Sequence, residues 1–517
     1  MDITLDQVPE ALRAPVEALI RRGQRLEKEN KILRETLRLI HIEKYGRRSE
    51  KLTDDQLNLL DGEPSVTAAE VEKEAAAAEA EQQAVKEGRP PRKRRQRNVD
   101  HPGREELPAH LERRVVIVPC HPEDCQCAIC GADKPVIGYE ETEELDVIPA
   151  QYFVKVTRRE KRACPDHPEG GVATAECPPK IVPKSKLSDQ VIIDLIIKKY
   201  DDHLPVYRQC LGLERDAEVE ISRKTLVDYI MKVGGLLEAF RPVLRENLLA
   251  GGYIQGDESP VPCQSPRTRG RNHRAFMWEF SRPGGPSLFD FRMGRERAGP
   301  KEFLNGFRGK LQCDGYSAYD KLGPGITYLG CWAHARRGFH RAQKLAPGEP
   351  LSLEILGLIG QLYEVEEKAR VEKLDFAQRL QLRQQTSRPV VEQLKARILA
   401  IRQSVLPASQ LGKACDYALG QWTRLVIFLE DGEVEIDNNW CENAMRGIAV
   451  GRKNWLHIGS EQAGPRIAAI MSIFETCRRL DINIRDYLND ILPKLPEWPA
   501  KRVAELSPMS WKAARQN

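Results

Sequence analysis

Glu442 lies in the run Glu435-Ile-Asp-Asn-Asn-Trp-Cys-Glu-Asn-Ala-Met-Arg446, which surrounds one carboxylate with polar caps and a cation; Arg452, Lys453 and Trp455 follow. A carboxylate held near basic groups suits a metal ion and a phosphodiester better than it suits a folded core. Two upstream segments supply partners: Asp257 in Gly252-Tyr-Ile-Gln-Gly-Asp-Glu-Ser-Pro-Val-Pro262, and Asp314 in Gly309-Lys-Leu-Gln-Cys-Asp-Gly-Tyr-Ser-Ala-Tyr319. Three carboxylates converging from separate segments can hold a pair of Mg²⁺ ions. That ion takes hard oxygen ligands and leaves positions open to phosphate and water.

The elements that must position these groups follow from local pattern. Alternation at Tyr253, Ile254 and Gln255 predicts a strand with Asp257 at its end, and a second short strand precedes Asp314 and its glycine. Asp437, Asn438 or Asn439 can cap a helix that carries Glu442 in its early turns, with Arg446 one turn later on the same face. Taken singly, each has a plainer reading: Asp-Gly is a hairpin signal, Asp257-Glu258-Ser-Pro fits a solvated loop, and Glu442 is a favourable charge at a helix start. Residues 275–280, 288–292 and 327–331 read as further strands and 300–307 as a helix, which together make a mixed α/β sheet. In Trp332-Ala-His-Ala-Arg-Arg337 the basic side chains could hold a phosphate, so Arg336 and Arg337 read as DNA contacts and His334 as a DNA contact or a supportive structural histidine, not a general base. Arg446, Arg452 and Lys453 join them.

Four motifs carry a family resemblance. Gly-Asp-Glu-Ser-Pro-Val at 256–261, Cys-Asp-Gly-Tyr-Ser-Ala-Tyr at 313–319, Cys-Trp-Ala-His-Ala-Arg-Arg at 331–337 and the run from Asp-Asn-Asn to Gly-Ser at 437–460 resemble those of the bacterial insertion sequence 66 family. Its members are Asp-Asp-Glu transposases with a ribonuclease-H-like core, and Lys-Tyr-Asp-Asp-His-Leu-Pro-Val-Tyr-Arg-Gln at 199–209 extends the likeness upstream. The resemblance implies that Asp257, Asp314 and Glu442 are the catalytic triad, using two Mg²⁺ (or Mn²⁺) per active site. The implied substrate is double-stranded DNA: cleavage at element ends, then joining of 3′ hydroxyls to target DNA. The same carboxylates would also serve a ribonuclease-H-like nuclease without strand transfer, and a non-catalytic DNA-binding assembly protein is a third reading. Elements of this family also encode small companion proteins.

At 517 residues with 41% hydrophobic content, the chain is long enough for several domains. Net charge is only +4, so nucleic-acid binding must be sought in local clusters. No export signal or membrane span is legible, which predicts a cytoplasmic, nucleoid-associated protein with no membrane partner. Leu12, Leu19, Leu26, Leu33 and Ile40 repeat every seven residues, with Val16, Asn30 and Leu37 on the alternate seam, which predicts a zipper and a homo-oligomer. An Ala/Glu tract then leads into a basic cluster, where Arg92, Lys93, Arg94 and Arg95 read as phosphate contacts. Cys127-Ala-Ile-Cys130 and Cys164-Pro-Asp-His167 have zinc-knuckle spacing, for a structural Zn²⁺. The family pattern ordinarily ends in Cys where His167 stands, so Cys120, Cys125 or Cys177 is an alternative ligand.

The expected architecture is therefore multidomain α/β. It comprises a coiled coil (1–60), a linker (61–110), a zinc-ribbon-like domain (111–182), and a helical DNA-binding or connector region (183–250). A ribonuclease-H-like core (251–345 and 431–477) follows, interrupted by an all-helical insertion (346–430), and a tail (478–517) closes the chain. In the insertion, Leu353, Leu356, Ile359 and Tyr363 form one stripe, Leu394, Ile398, Ile401 and Val405 a second, and Leu411, Cys415, Leu419, Trp422 and Val426 a third.

Overall fold

The computed structural model describes residues 151–163 and 172–517 except 267, 269, 347, 348 and 517, together with 113–117, 125, 132, 136 and 139. The predicted zipper, the basic cluster at Arg92, Lys93, Arg94 and Arg95, and the zinc ligands Cys127, Cys130, Cys164 and His167 lie outside the described residues. Cys125 and Cys177, the alternative ligands that are described, are exposed. The chain divides into two units, residues 80–154 and the remainder. The described residues of the smaller unit are exposed and irregular; the larger one carries the site.

A short antiparallel pair, β1 (Lys161–Ala163) and β2 (Val172–Thr174), precedes four helices: α1 (Asp189–Tyr200), α2 (Val206–Ala217), α3 (Arg223–Leu237) and α4 (Arg241–Leu249). Ser188 and Ser222 cap α1 and α3 by accepting from the amides of Val191 and Thr225. Then come β3 (Tyr253–Cys263), β4 (His273–Ser281), β5 (Ser287–Arg292), α5 (Ala298–Phe303), β6 (Gly309–Gln312), β7 (Ile326–Leu329) and α6 (Trp332–Leu345). The five strands form one sheet in the order β5-β4-β3-β6-β7. Neighbours β5, β4 and β3 run antiparallel, whereas β6 and β7 run parallel to β3.

Between β7 and the last part of the site the chain is helical: α7 (Pro350–Val371), α8 (Phe376–Leu382), a π-helical turn at Arg383–Ser387, α9 (Arg388–Ser404), α10 (Gln410–Gly420) and α11 (Trp422–Leu425). The apolar faces of α7, α9, α10 and α11 pack with α6 into one core containing Leu362, Leu394, Ile398 and Cys415. The predicted third stripe spans a break: the helix stops at Gly420 and restarts at Trp422. Glu366 of α7 is buried between Arg379 and Arg383, at 2.6 and 2.7 Å. Burial pushes its carboxyl up, and the two guanidiniums more than reverse this, leaving it below the usual glutamate range. Arg383 also donates to the carbonyls of Phe428 and Val434, which fastens this core to the segment leading into α12 (Asn439–Trp455). Next come α13 (Ala463–Arg479), α14 (Ile484–Ile491) and α15 (Pro508–Gln516). The edge strand β5 is covered by α13, where Ser472 accepts from Phe289 N–H and Thr476 from Ser287 N–H, removing an exposed strand edge.

Candidate active site

The sheet opens where β3 and β6 part. Their pairing ends at Gln255 opposite Gln312; Asp257 and Asp314 each lie two residues further on, at the crevice beyond the carboxyl ends of parallel strands. Asp257 does not end its strand, as the local alternation had predicted. Strand β3 continues to Cys263, held on one side by β4. Its other side no longer needs a strand partner, which is why Pro260 and Pro262 are tolerated there. Arg452 donates to Pro260 O at 2.7 Å, and Ile458 N–H to Pro262 O at 2.8 Å. Gly315, at φ +88°, makes the turn after Asp314, whose Oδ1 accepts from Tyr316 N–H at 2.8 Å.

Glu442 enters from α12, in its first turn. Asn438 occupies the cap position without a side-chain bond, while Asp437 accepts from Asn439 N–H and from the Tyr363 hydroxyl. Burial, and then the fields of Glu258, Glu442 and Asp314, push the Asp257 carboxyl well above the usual aspartate range. The three carboxylates read from the sequence therefore share one electrostatic site. Their donor set is all oxygen and their charges oppose one another, the chemistry that a hard divalent cation would relieve.

Of the residues read as DNA contacts, two face the Glu442 carboxylate. Arg337 donates to Glu442 Oε2 at 3.2 Å, and His334 Nδ1 lies 3.3 Å from Oε1. Burial, then Arg337, lower the His334 pKa to about 4, so it presents a neutral imidazole near pH 7 and not a cation for phosphate. Arg336 is 4% exposed and faces the interior, and Arg452 is committed to β3 through Ser259 and Pro260. Arg446 is half-buried, and Lys453 is exposed.

Several residues that position the site went unread in the sequence. Gln255 donates to Asp437 O at 2.9 Å and to Gln312 Oε1 at 3.0 Å, and accepts from Cys441 N–H at 3.2 Å. Gln312 donates to Glu435 O and Gly330 O, and Tyr253 O–H donates to Gln312 Oε1. This buried network joins all three carboxylate-bearing elements. Its signal was present: Ile254-Gln-Gly-Asp257 and Leu311-Gln-Cys-Asp314 share a glutamine two residues before the aspartate. Glu258, read as a possible loop residue, is buried behind Asp257 and bound by Arg295 and the Tyr319 hydroxyl. Burial and Asp314 raise it to about 7 against those two partners.

Residues 184–466 match the family model described as the transposase IS66 family. The chain belongs to the IS66 family of transposases. The match takes in Asp257, Asp314 and Glu442 together with the glutamine network. In this IS66-family chain, residues 124–166 match the zinc-finger binding domain of transposase IS66, which supports a structural zinc. Residues 32–116 match the model described as transposase C of IS166 homeodomain, and homeodomains are DNA-binding modules. The chain is 31% identical to uncharacterized protein y4qI of Sinorhizobium fredii, over 92% of this chain and 88% of that one. Identity to uncharacterized protein y4hP of the same organism is 30%, over 91% and 86%. Among the described residues, no helix is long and apolar enough to cross a membrane.

Proposed function

We propose that this IS66-family transposase cleaves DNA at element ends and joins the 3′ hydroxyls to target DNA, with Asp257, Asp314 and Glu442 as the catalytic set of a ribonuclease-H-like core. The observation that carries this reading is the convergence of the three carboxylates at the opening between β3 and β6. The mixed strand order β5-β4-β3-β6-β7 and the delivery of Glu442 from a helix after a helical insertion support it. Asp257, Asp314 and Glu442 would hold a Mg²⁺ or Mn²⁺ pair, whose chemistry is to activate the attacking hydroxyl and to stabilise the departing oxygen. The chain's own contribution is position. Gln255 and Gln312 fix the three backbones relative to one another, and Arg337 orients Glu442.

Purified protein incubated with labelled element ends, Mg²⁺ and a target plasmid tests the assignment. Joined product is expected; cleaved ends alone would make the protein a nuclease, and binding alone an assembly protein. Cys127, Cys130, Cys164 and His167 are the proposed zinc ligands. Elemental analysis of a Cys127→Ser, Cys130→Ser double variant should show the loss of one zinc per chain, and unchanged content would exclude this set.

A further inference from the structure

Cys331 caps the start of α6, immediately after β7, and His334 lies one turn on. The Cys331 Sγ, a His334 ring nitrogen and a Glu442 carboxylate oxygen all lie within 4.8 Å of one another. The backbone amides of His334 and Asn438 both face the sulfur, while burial, then Asp437 and Glu442, hold the thiol well above its usual range, so an ion bound there would have to displace its proton. Asn438 is fully buried, and both polar atoms of its side chain lack a hydrogen-bond partner in the described structure. A buried amide in that condition is costly, and an ion with its bound water beside the sulfur would give it one.

This donor set differs in kind from the three carboxylates. Sulfur and imidazole, joined by one carboxylate, suit a borderline transition ion that accepts tetrahedral geometry, and the first two are poor ligands for Mg²⁺. Cys-x-x-His on the first turn of a helix brings two of them to one side, and Glu442 closes the third position while leaving a fourth for water.

We propose that Cys331, His334 and Glu442 form a second metal site, for an ion of the Zn²⁺ or Co²⁺ class. Glu442 belongs to both sets. Resting on the catalytic reading above, occupancy of this site withdraws Glu442 from Asp257 and Asp314 and inhibits the Mg²⁺-dependent reaction.

The full chain, its Cys331→Ser variant and its His334→Gln variant are equilibrated with a small excess of Zn²⁺ over two per chain in excess Mg²⁺, freed of unbound metal, and bound zinc is measured by elemental analysis. The parent is expected to carry one zinc more than either variant; the N-terminal cysteines are the same in all three and cancel. Because His334 is partly exposed and serves no cap, His334→Gln keeps the comparison valid where Cys331→Ser fails to fold. Equal zinc in parent and folded variants overturns the site. Zinc is then titrated into Mg²⁺-supported cleavage, and the concentration that halves each protein's own rate should rise about tenfold or more in Cys331→Ser. A zinc difference in a protein that never cleaves DNA keeps the metal site and removes the catalytic reading. Cleavage with no zinc difference does the reverse.

Discussion

Asp257, Asp314 and Glu442 can each lose charge with little change in volume, which separates their chemistry from their packing. Asp257→Asn, Asp314→Asn and Glu442→Gln are expected to lower cleavage and joining by about a thousandfold or more and to leave end binding within a few-fold. Near-parental joining by any one would remove that residue from the set. Glu279 offers a second test at this scale. It is fully buried on β4, takes hydrogen bonds from Ser287 and Cys441, and lies 3.6 Å from Arg479. Burial raises its carboxyl from 4.5 to about 7 despite Arg479. A carboxyl raised on folding keeps its full contribution below the unfolded value, and that contribution is lost as pH climbs through the folded one. Between pH 4.5 and 8, Glu279→Gln should therefore gain up to ~3 kcal/mol relative to the parent, measured by urea unfolding. A gap that does not move with pH would mean that Glu279 ionises equally in both states.

At the scale of elements, the site depends on how α12 is fastened to the sheet. Gln255 is the joint, because its one amide group contacts the segment before α12, the first turn of α12 and β6. Gln255→Leu keeps the volume roughly constant and leaves buried donors and acceptors unpaired, at a cost of about 3 kcal/mol. Activity should fall further than stability accounts for, with a raised Mg²⁺ requirement, since Glu442 is no longer held opposite Asp257. Chemical denaturation together with an Mg²⁺ titration of cleavage checks both; an unchanged Mg²⁺ requirement would confine Gln255 to a structural role.

For the whole molecule, two element ends must be brought together before joining. The heptads at Leu19, Leu26 and Leu33 are proposed to do this as a zipper. Replacing all three with Lys puts like charges into an apolar seam. Paired-end complexes and concerted joining should disappear, while single-end contact remains. Light scattering that shows the parental oligomer, with normal paired-end joining, would return residues 12–40 to an ordinary intramolecular helix.

The short-range content of the site was legible in the chain itself. Asp257, Asp314 and Glu442 stood out because a carboxylate beside glycines, caps and cations is a local signal. The zinc-knuckle and heptad spacings are local in the same sense. Tertiary structure alone decided what each charge faces. Arg336 and Arg337 read as phosphate contacts, and His334 as a contact or a support, because nothing within their own helix turn competes for them; Glu442, more than a hundred residues later, is what His334 and Arg337 face. The length of β3 likewise depended on α12 and Ile458, which cover an edge that two prolines would otherwise mark as broken. Pattern reports a residue's neighbours along the chain, whereas burial, protonation and the sharing of one carboxylate between two donor sets arise from neighbours in space.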